Sequence, residues 1–95
     1  MSNEAFEIAK SGGRHGGTYR RYQTARTQEI EKSIRSINEQ ISQHEDKVRN
    51  PKAFFPDASD TEINYLVNRF WPKEINNLRQ QRDIMVGILS ERDEA

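Results

Sequence analysis

Ile30, Ile34, Ile37, Ile41 and Val48 recur at steps of four, three, four and then seven, with His44 dividing the last interval into three and four. That alternation sets all six side chains on one face of a helix and on no single face of a strand. Glu, Lys, Arg, Ser, Asn and Gln fill the positions between, as a solvated opposite face requires. Thr27 is expected to cap the start, with Glu29 and Glu31 in a first turn where the helix dipole favours acid. Lys47 and Arg49 fall in the last turn, and Asn50-Pro51 ends the helix because a residue before proline avoids the α region. The spacing therefore predicts a helix over 27–50, roughly 35 Å long.

A stripe of this kind needs a partner. PKAFFPDASD over 51–60 reads as a loop carrying an apolar Phe54-Phe55 pair, and Ser59-Asp60-Thr61-Glu62 has the S-x-x-E form of a capping box. A short helix over 60–70 then places Ile63, Leu66, Val67 and Phe70 on one face. Pro72 follows Trp71, and proline is costly inside a helix, so a break or kink is expected at Phe70-Trp71. The last helix runs over 72–92 with Ile75, Leu78, Met85 and Leu89 as its stripe, widened by Ile84 and Ile88. Arg82 takes a stripe position, where its stem packs while its head reaches solvent or an acid.

The predicted fold is all-α: an antiparallel helical hairpin over 27–50 and 72–92, capped by the helix over 60–70 and preceded by a Gly-rich basic N-terminal arm. One domain spans 1–95, with an arm over 1–24 whose glycines allow flexibility and a helical core over 25–95. Asn3 to Lys10 allows one more short helix through Phe6, Ile8 and Ala9. A bare hairpin leaves part of each stripe uncovered. Trp71, Phe54, Phe55 and Phe70 can cover one end, and self-association into a four-helix bundle would cover the rest.

Composition narrows the function classes. None of the 95 residues is Cys, which excludes a disulfide scaffold and a thiolate zinc site. A mean hydropathy of -1.04 points to an elongated helical fold or to one that completes its core with a partner. No apolar run approaches the roughly 20 residues of a membrane span, and Met1-Ser2-Asn3-Glu4 lacks the regions of a signal peptide. The expectation is a cytoplasmic chain with no membrane contact. Fifteen Lys+Arg balance fifteen Asp+Glu, which argues against broad coating of nucleic acid. The balance is not local, however. Lys10, Arg14, Arg20, Arg21 and Arg26 share a stretch without an acid, while Glu91, Asp93 and Glu94 outnumber Arg92 at the other end. Polyanion binding, where it occurs, is therefore focal.

Ser11-Gly12-Gly13-Arg14-His15-Gly16-Gly17-Thr18-Tyr19-Arg20-Arg21-Tyr22 is the segment best suited to chemistry. Gly12, Gly13, Gly16 and Gly17 permit positive φ and let amide groups converge on an anion. Arginine forks bind phosphate oxygens, so Arg14, Arg20 and Arg21 are candidate clamps; Tyr19 and Tyr22 can stack on bases or donate a hydroxyl. His15 is the candidate proton carrier and Arg14 its partner in stabilising negative charge, the needs of a metal-independent phosphodiesterase. The plainer reading is a disordered arm, Gly-rich for that reason. Neither the G-x-x-x-x-G-K-S/T spacing of a Walker loop nor a G-x-G-x-x-G fingerprint is present.

His44 is a second-tier candidate, read first as a boundary residue bonded to a neighbouring carbonyl or carboxylate. It lies roughly 25 Å along its helix, while His15 enters at the other end, so an acid–base pair is not expected. Two histidines without a carboxylate constellation make no metal site, and no cofactor is implied. Asp57, Asp60 and Glu62 are accounted for by capping, and no serine or cysteine nucleophile arrangement is found.

These residues resemble the short C-terminal segments of bacterial polymorphic toxins, rearrangement-hotspot-type proteins among them. The shared elements are G-G-K/R-H-x-G followed by Tyr, then I-x-x-H-x-x-K-I/V-x-N-P, then W-P-x-D/E-I. Here they fall on Gly12 to Gly17 with Tyr22, on Ile41, His44, Lys47, Val48, Asn50 and Pro51, and on Trp71 to Ile75. The resemblance covers most of the chain from residue 11 onward and implies a bacterial effector setting without naming a reaction; it adds weight to Arg14 and His15. Two functions stay open. One is a toxin-type domain that binds RNA or nucleotide phosphates, with or without turnover. The other is a non-enzymatic hairpin that engages a protein partner, self-associates, or sequesters an anionic ligand.

Overall fold

The computed structural model describes residues 3–94; Met1, Ser2 and Ala95, which the predicted domain and arm include, lie outside it, as does the side chain of Glu94. The chain is all-α, with no strand among the described residues. Its elements are α1 (Glu4–Lys10), α2 (Gly16–Gln23), α3 (Thr27–Arg49), α4 (Pro51–Phe54), α5 (Asp60–Tyr65), a π-helical turn (Leu66–Phe70) and α6 (Trp71–Glu94). The molecule is elongated, with principal extents of 51 × 25 × 23 Å. No helix among the described residues is long and apolar enough to cross a membrane.

The predicted hairpin is formed by α3 and α6. Arg79 reaches Glu45, Arg82 reaches Asn38 and Arg92 reaches Thr27, so numbers rise on one helix as they fall on the other. Ile30, Ile37 and Ile41 pack with Ile75, Ile84, Met85 and Ile88 in one core, where Ile30 and Ile84 are fully enclosed. Ile34, Val48, Leu78 and Leu89 line its margin. Arg82 behaves as its stripe position requires: its guanidinium bonds the Asn38 amide oxygen at 3.2 Å and lies 3.6 Å from the Asp83 carboxylate.

The segment expected to be an arm is largely helical and contributes to the core. Phe6 and Ala9 of α1 are buried. Asn3 holds α1 in two ways: its side-chain oxygen accepts from the Phe6 amide, and its side-chain nitrogen donates 2.7 Å to the Asp83 carbonyl. Phe6 sits on Gly87, and Lys10 pairs with Glu91. Contacts at 3, 6 and 10 on one helix against 83, 87 and 91 on the other mean that α1 and α6 run side by side in the same sense. The part of the α6 stripe for which self-association was the expected cover is thus covered within the chain. Helices this short are unstable alone, so docking on α6 is what makes them form.

Three local expectations are corrected. Thr27 is the first residue of α3 rather than its cap; Arg26 holds the cap position without a side-chain bond, and the Thr27 hydroxyl accepts from Arg92. Residues 51–54 of the expected loop form the single turn α4, with Pro51 at its start. Of the break or kink expected at Phe70-Trp71, the break is absent and the irregularity takes the form of the π turn: Leu66 and Trp71 keep α-helical dihedrals and the Trp71 amide donates to the Leu66 carbonyl, so one helical run extends from Asp60 to Glu94. A proline ring crowds the carbonyl four residues earlier in an α-helix, here that of Asn68. The wider π turn absorbs that conflict at the residues just before Pro72. At this end Trp71 is buried with Phe55 beside it, ring centroids 5.9 Å apart, while Phe54, Phe55 and Phe70 remain substantially exposed rather than forming a closed cap.

Candidate functional site

The glycine-rich segment is the elbow between α1 and α2. Gly12 adopts φ +95°, its amide donates to the Ala9 carbonyl at 3.1 Å, and the Gly13 amide donates to the Ile8 carbonyl at 2.9 Å. Together these bonds make a Schellman motif, the ordinary way for a helix to stop at a left-handed residue. Gly13 also lies so close to Ile8 that an added Cβ would fall 2.8 Å from the Ile8 methyl. The Gly16 amide donates to the Gly13 carbonyl at 3.0 Å. Gly12, Gly13 and Gly16 therefore use their amides within the chain, which corrects their expected part in a phosphate cradle. Gly17 is exposed at the start of α2, where no side chain caps the helix.

The elbow brings Arg14 and His15 together. Arg14 Nε donates to Gln80 Oε1 at 2.9 Å, and His15 Nε2 lies 3.1 Å from the same oxygen. Because arginine only donates, the shared Gln80 atom must be the carbonyl oxygen, and His15 must then carry its proton on Nε2. In the neutral ring this leaves Nδ1 as the basic nitrogen. His15 itself is held at φ 64°, the left-handed region, at the N-terminal boundary of α2. An open cleft of about 370 Å³ lies here, lined by Arg14, His15 and Gln80 with Glu4, Ala5 and Ile8 of α1.

The other candidates are distributed differently. Arg20 folds back along α2, its guanidinium 3.2 Å from where a Cβ on Gly16 would stand. Arg21 lies 5.2 Å from the Tyr22 ring centroid and, with Glu29 and Lys32, lines a separate groove. Tyr19 packs edge-on against Phe6 at 5.8 Å, and Tyr22 packs against the core. Both rings contribute to packing and both stay partly exposed. Within the basic segment, Lys10 pairs with Glu91 and Arg26 with Glu29, whereas Arg14, Arg20 and Arg21 have no ion pair among the described residues. The Lys10 ammonium is held above its ordinary pKa by its hydrogen bond to Glu91 and then by the charge of that carboxylate.

His44 donates from Nδ1 to the Gln40 carbonyl of its own helix at 2.8 Å. His15 does not enter at the opposite end of the hairpin, as expected; its partner Gln80 adjoins Arg79, which pairs with Glu45 beside His44. The two histidines are level along the hairpin, yet His44 contributes nothing to the cleft lining. Among the described residues, no group of three or more His, Asp or Glu is placed to hold a metal ion.

Two residues that sequence reasoning missed organise the two ends of α2, Gln80 at the elbow and Arg92 at the α2–α3 junction. Gln80 orients Arg14 and His15, and nothing in a polar residue on a long helix announces that role. Arg92 donates to the Gln23 carbonyl at 3.0 Å, the Ala25 carbonyl at 2.6 Å and the Thr27 hydroxyl at 3.1 Å. It places a cation at the C-terminal end of α2, where the helix dipole favours one. Comparison of the chain with protein-family models, curated proteins and solved structures finds no match.

Proposed function

We propose that this chain binds phosphate groups of RNA or nucleotides at the α1–α2 elbow, in the setting of a small bacterial or phage effector. The observation that carries the reading is the convergence of Arg14 and His15 on one Gln80 oxygen at the mouth of a cleft. Gln80 occupies Arg14 Nε and leaves the Nη groups as the donors for an oxyanion. The uncapped start of α2 and the Arg20 guanidinium, which has no ion pair among the described residues, add positive potential beside it. For a phosphodiesterase, His15 is the one imidazole and Glu4 the one carboxylate among the described residues lining the cleft, so binding is the claim and hydrolysis an added outcome of the test. The alternative hairpin that binds a protein partner draws on the exposed Phe54-Phe55 pair.

The test is an NMR titration of the wild-type chain with inorganic phosphate, a mononucleotide and a short RNA, with RNA integrity followed in the same samples. Arg14 and His15 signals should shift with each phosphate ligand. Arg14→Ala should weaken binding by about 10-fold or more, the size of one charge-assisted hydrogen bond. Gln80→Ala should weaken it less, because it only orients the two donors. Wild-type signals that no phosphate ligand moves would end the proposal.

A further inference from the structure

Residues five apart do not share a face of an α-helix; they stand about 140° apart. The Tyr65 and Phe70 rings nevertheless stack, with centroids 6.4 Å and planes 18° apart. The π-helical turn Leu66–Phe70 separates them, and its extra residue per turn is what brings these two positions onto one side. Both rings are left in solvent, Tyr65 58% and Phe70 42% exposed. Core packing does not explain a pair of large rings stacked on each other with so much of each left in solvent. Arg69 and Lys73 line the same open cleft, about 440 Å³, together with Glu74. Neither cation has an ion pair among the described residues. Flat aromatic faces beside unneutralised cations are what a single nucleic-acid strand requires: rings for bases and positive charge for the backbone. A cleft for an acidic peptide would use the cations and leave the stacked rings idle.

The position of this cleft connects it to the elbow. Lys73 and Gln80 are seven residues apart on α6, about 20° apart around the helix and roughly 10 Å along it. The two clefts therefore open along one face of α6.

We propose that Tyr65 and Phe70 form a stacking site for bases of a single-stranded nucleic acid, whose backbone passes Arg69 and Lys73 toward Arg14 and His15. The inference rests on the phosphate-binding reading of the elbow and names its ligand as a single strand. It is tested by fluorescence anisotropy with a labelled single-stranded oligoribonucleotide and the matching duplex, alongside the inorganic-phosphate titration of His15. Tyr65→Ala combined with Phe70→Ala should weaken single-strand binding by about 10-fold or more while leaving the phosphate response at His15 unchanged. Tyr65→Phe should retain wild-type affinity, since it keeps the ring face. Strand binding undiminished in the double variant overturns the stacking site and leaves the elbow reading intact. Equal affinity for duplex and single strand overturns it as well. Loss of the wild-type phosphate response, with strand binding still dependent on Tyr65 and Phe70, overturns the elbow reading alone.

Discussion

Gly87 gives the sharpest test of how the N-terminal segment is held. A glycine inside a long helix costs about 1 kcal/mol relative to alanine, so Gly87→Ala should stabilise α6 if nothing lay against it. A Cβ at this position, however, would stand 2.3, 2.4 and 2.8 Å from Phe6 Cγ, Cδ1 and Cβ. Carbon atoms in contact prefer roughly 3.5–4.0 Å, so the phenylalanine must retreat by more than an ångström. It has little room: Phe6 is buried, with Tyr19 edge-on at 5.8 Å and the Lys10 ammonium 5.7 Å from its ring centroid. Overpacking costs about 1–3 kcal/mol, and complete loss of a buried phenylalanine, about 3–5 kcal/mol, sets the ceiling. After the helix gain is deducted, the expected net destabilisation is about 2 kcal/mol, or roughly 10 °C in Tm for a domain of this size. Urea unfolding followed by far-UV circular dichroism and Trp71 fluorescence measures it. The decisive step is to repeat the substitution in a Phe6→Ala background, where the clash is gone and Gly87→Ala should stabilise by about 1 kcal/mol. A gain of that size in both backgrounds would refute the docking of α1 on α6.

Arg92→Ala should destabilise the chain by about 1–3 kcal/mol and speed amide exchange over residues 22–27, because several carbonyls lose one donor; Arg92→Lys should recover only part of the loss for want of a planar fork. The raised pKa of Lys10 contributes stability that is complete below the unfolded-state value and disappears as pH climbs through the folded one. The advantage of wild type over Lys10→Met should therefore shrink in the alkaline range, and urea midpoints that keep a constant gap there would contradict the pairing with Glu91. Gly12→Ala, at φ +95°, should cost about 1–2 kcal/mol. Gly17→Ala, with no atom nearer its Cβ than 4.0 Å, should be neutral or slightly stabilising, so urea unfolding separates two glycines of one motif.

The hairpin was legible because its signal is periodic: isoleucines at three and four residue steps leave one arrangement that buries them. Ser59 was legible for a similar reason, since a cap needs only a short local pattern; its hydroxyl oxygen accepts from the Glu62 amide at 3.2 Å. What escaped lies between segments distant in sequence. Phe6, Ile8 and Ala9 allowed a short helix without showing where it docks, and Gly87 looks like a propensity defect until Phe6 is set against it. The π turn escaped because Pro72 signals a conflict without saying whether a break or a widening resolves it. Arg14 and His15 of the elbow were found by residue type, but Gln80 there and Arg92 at the α2–α3 junction were not, because a polar residue on an exposed-looking helix carries no local sign of its partner. The glycines misled for a definite reason. A helix stop and an anion cradle draw on the same residue, and only the destinations of the amides distinguish them; those of Gly12, Gly13 and Gly16 are carbonyls.

Ionic strength offers a count of what remains for an anion. The chain is neutral in sum, and of the cations with no ion pair among the described residues, Arg14 and Arg20 stand at the elbow and Arg69 and Lys73 at the aromatic cleft. Each phosphate neutralised on a single strand contributes about -0.7 to the slope of log affinity against log salt. Two contacts at the elbow predict a slope near -1.4, and four contacts along α6 predict one near -2.8. The difference can be resolved by anisotropy titrations over a several-fold range of salt. Replacing Arg69 and Lys73 with glutamine should move the slope from the larger value to the smaller without abolishing binding. Replacing Arg14 and Arg20 instead should produce the same change in slope while removing the His15 response to inorganic phosphate. A slope near zero would mean that no phosphate is contacted and would refute both sites. One much steeper than four contacts allow would place the strand on the remaining lysines and arginines of α3, a broad coating that the neutral composition argues against.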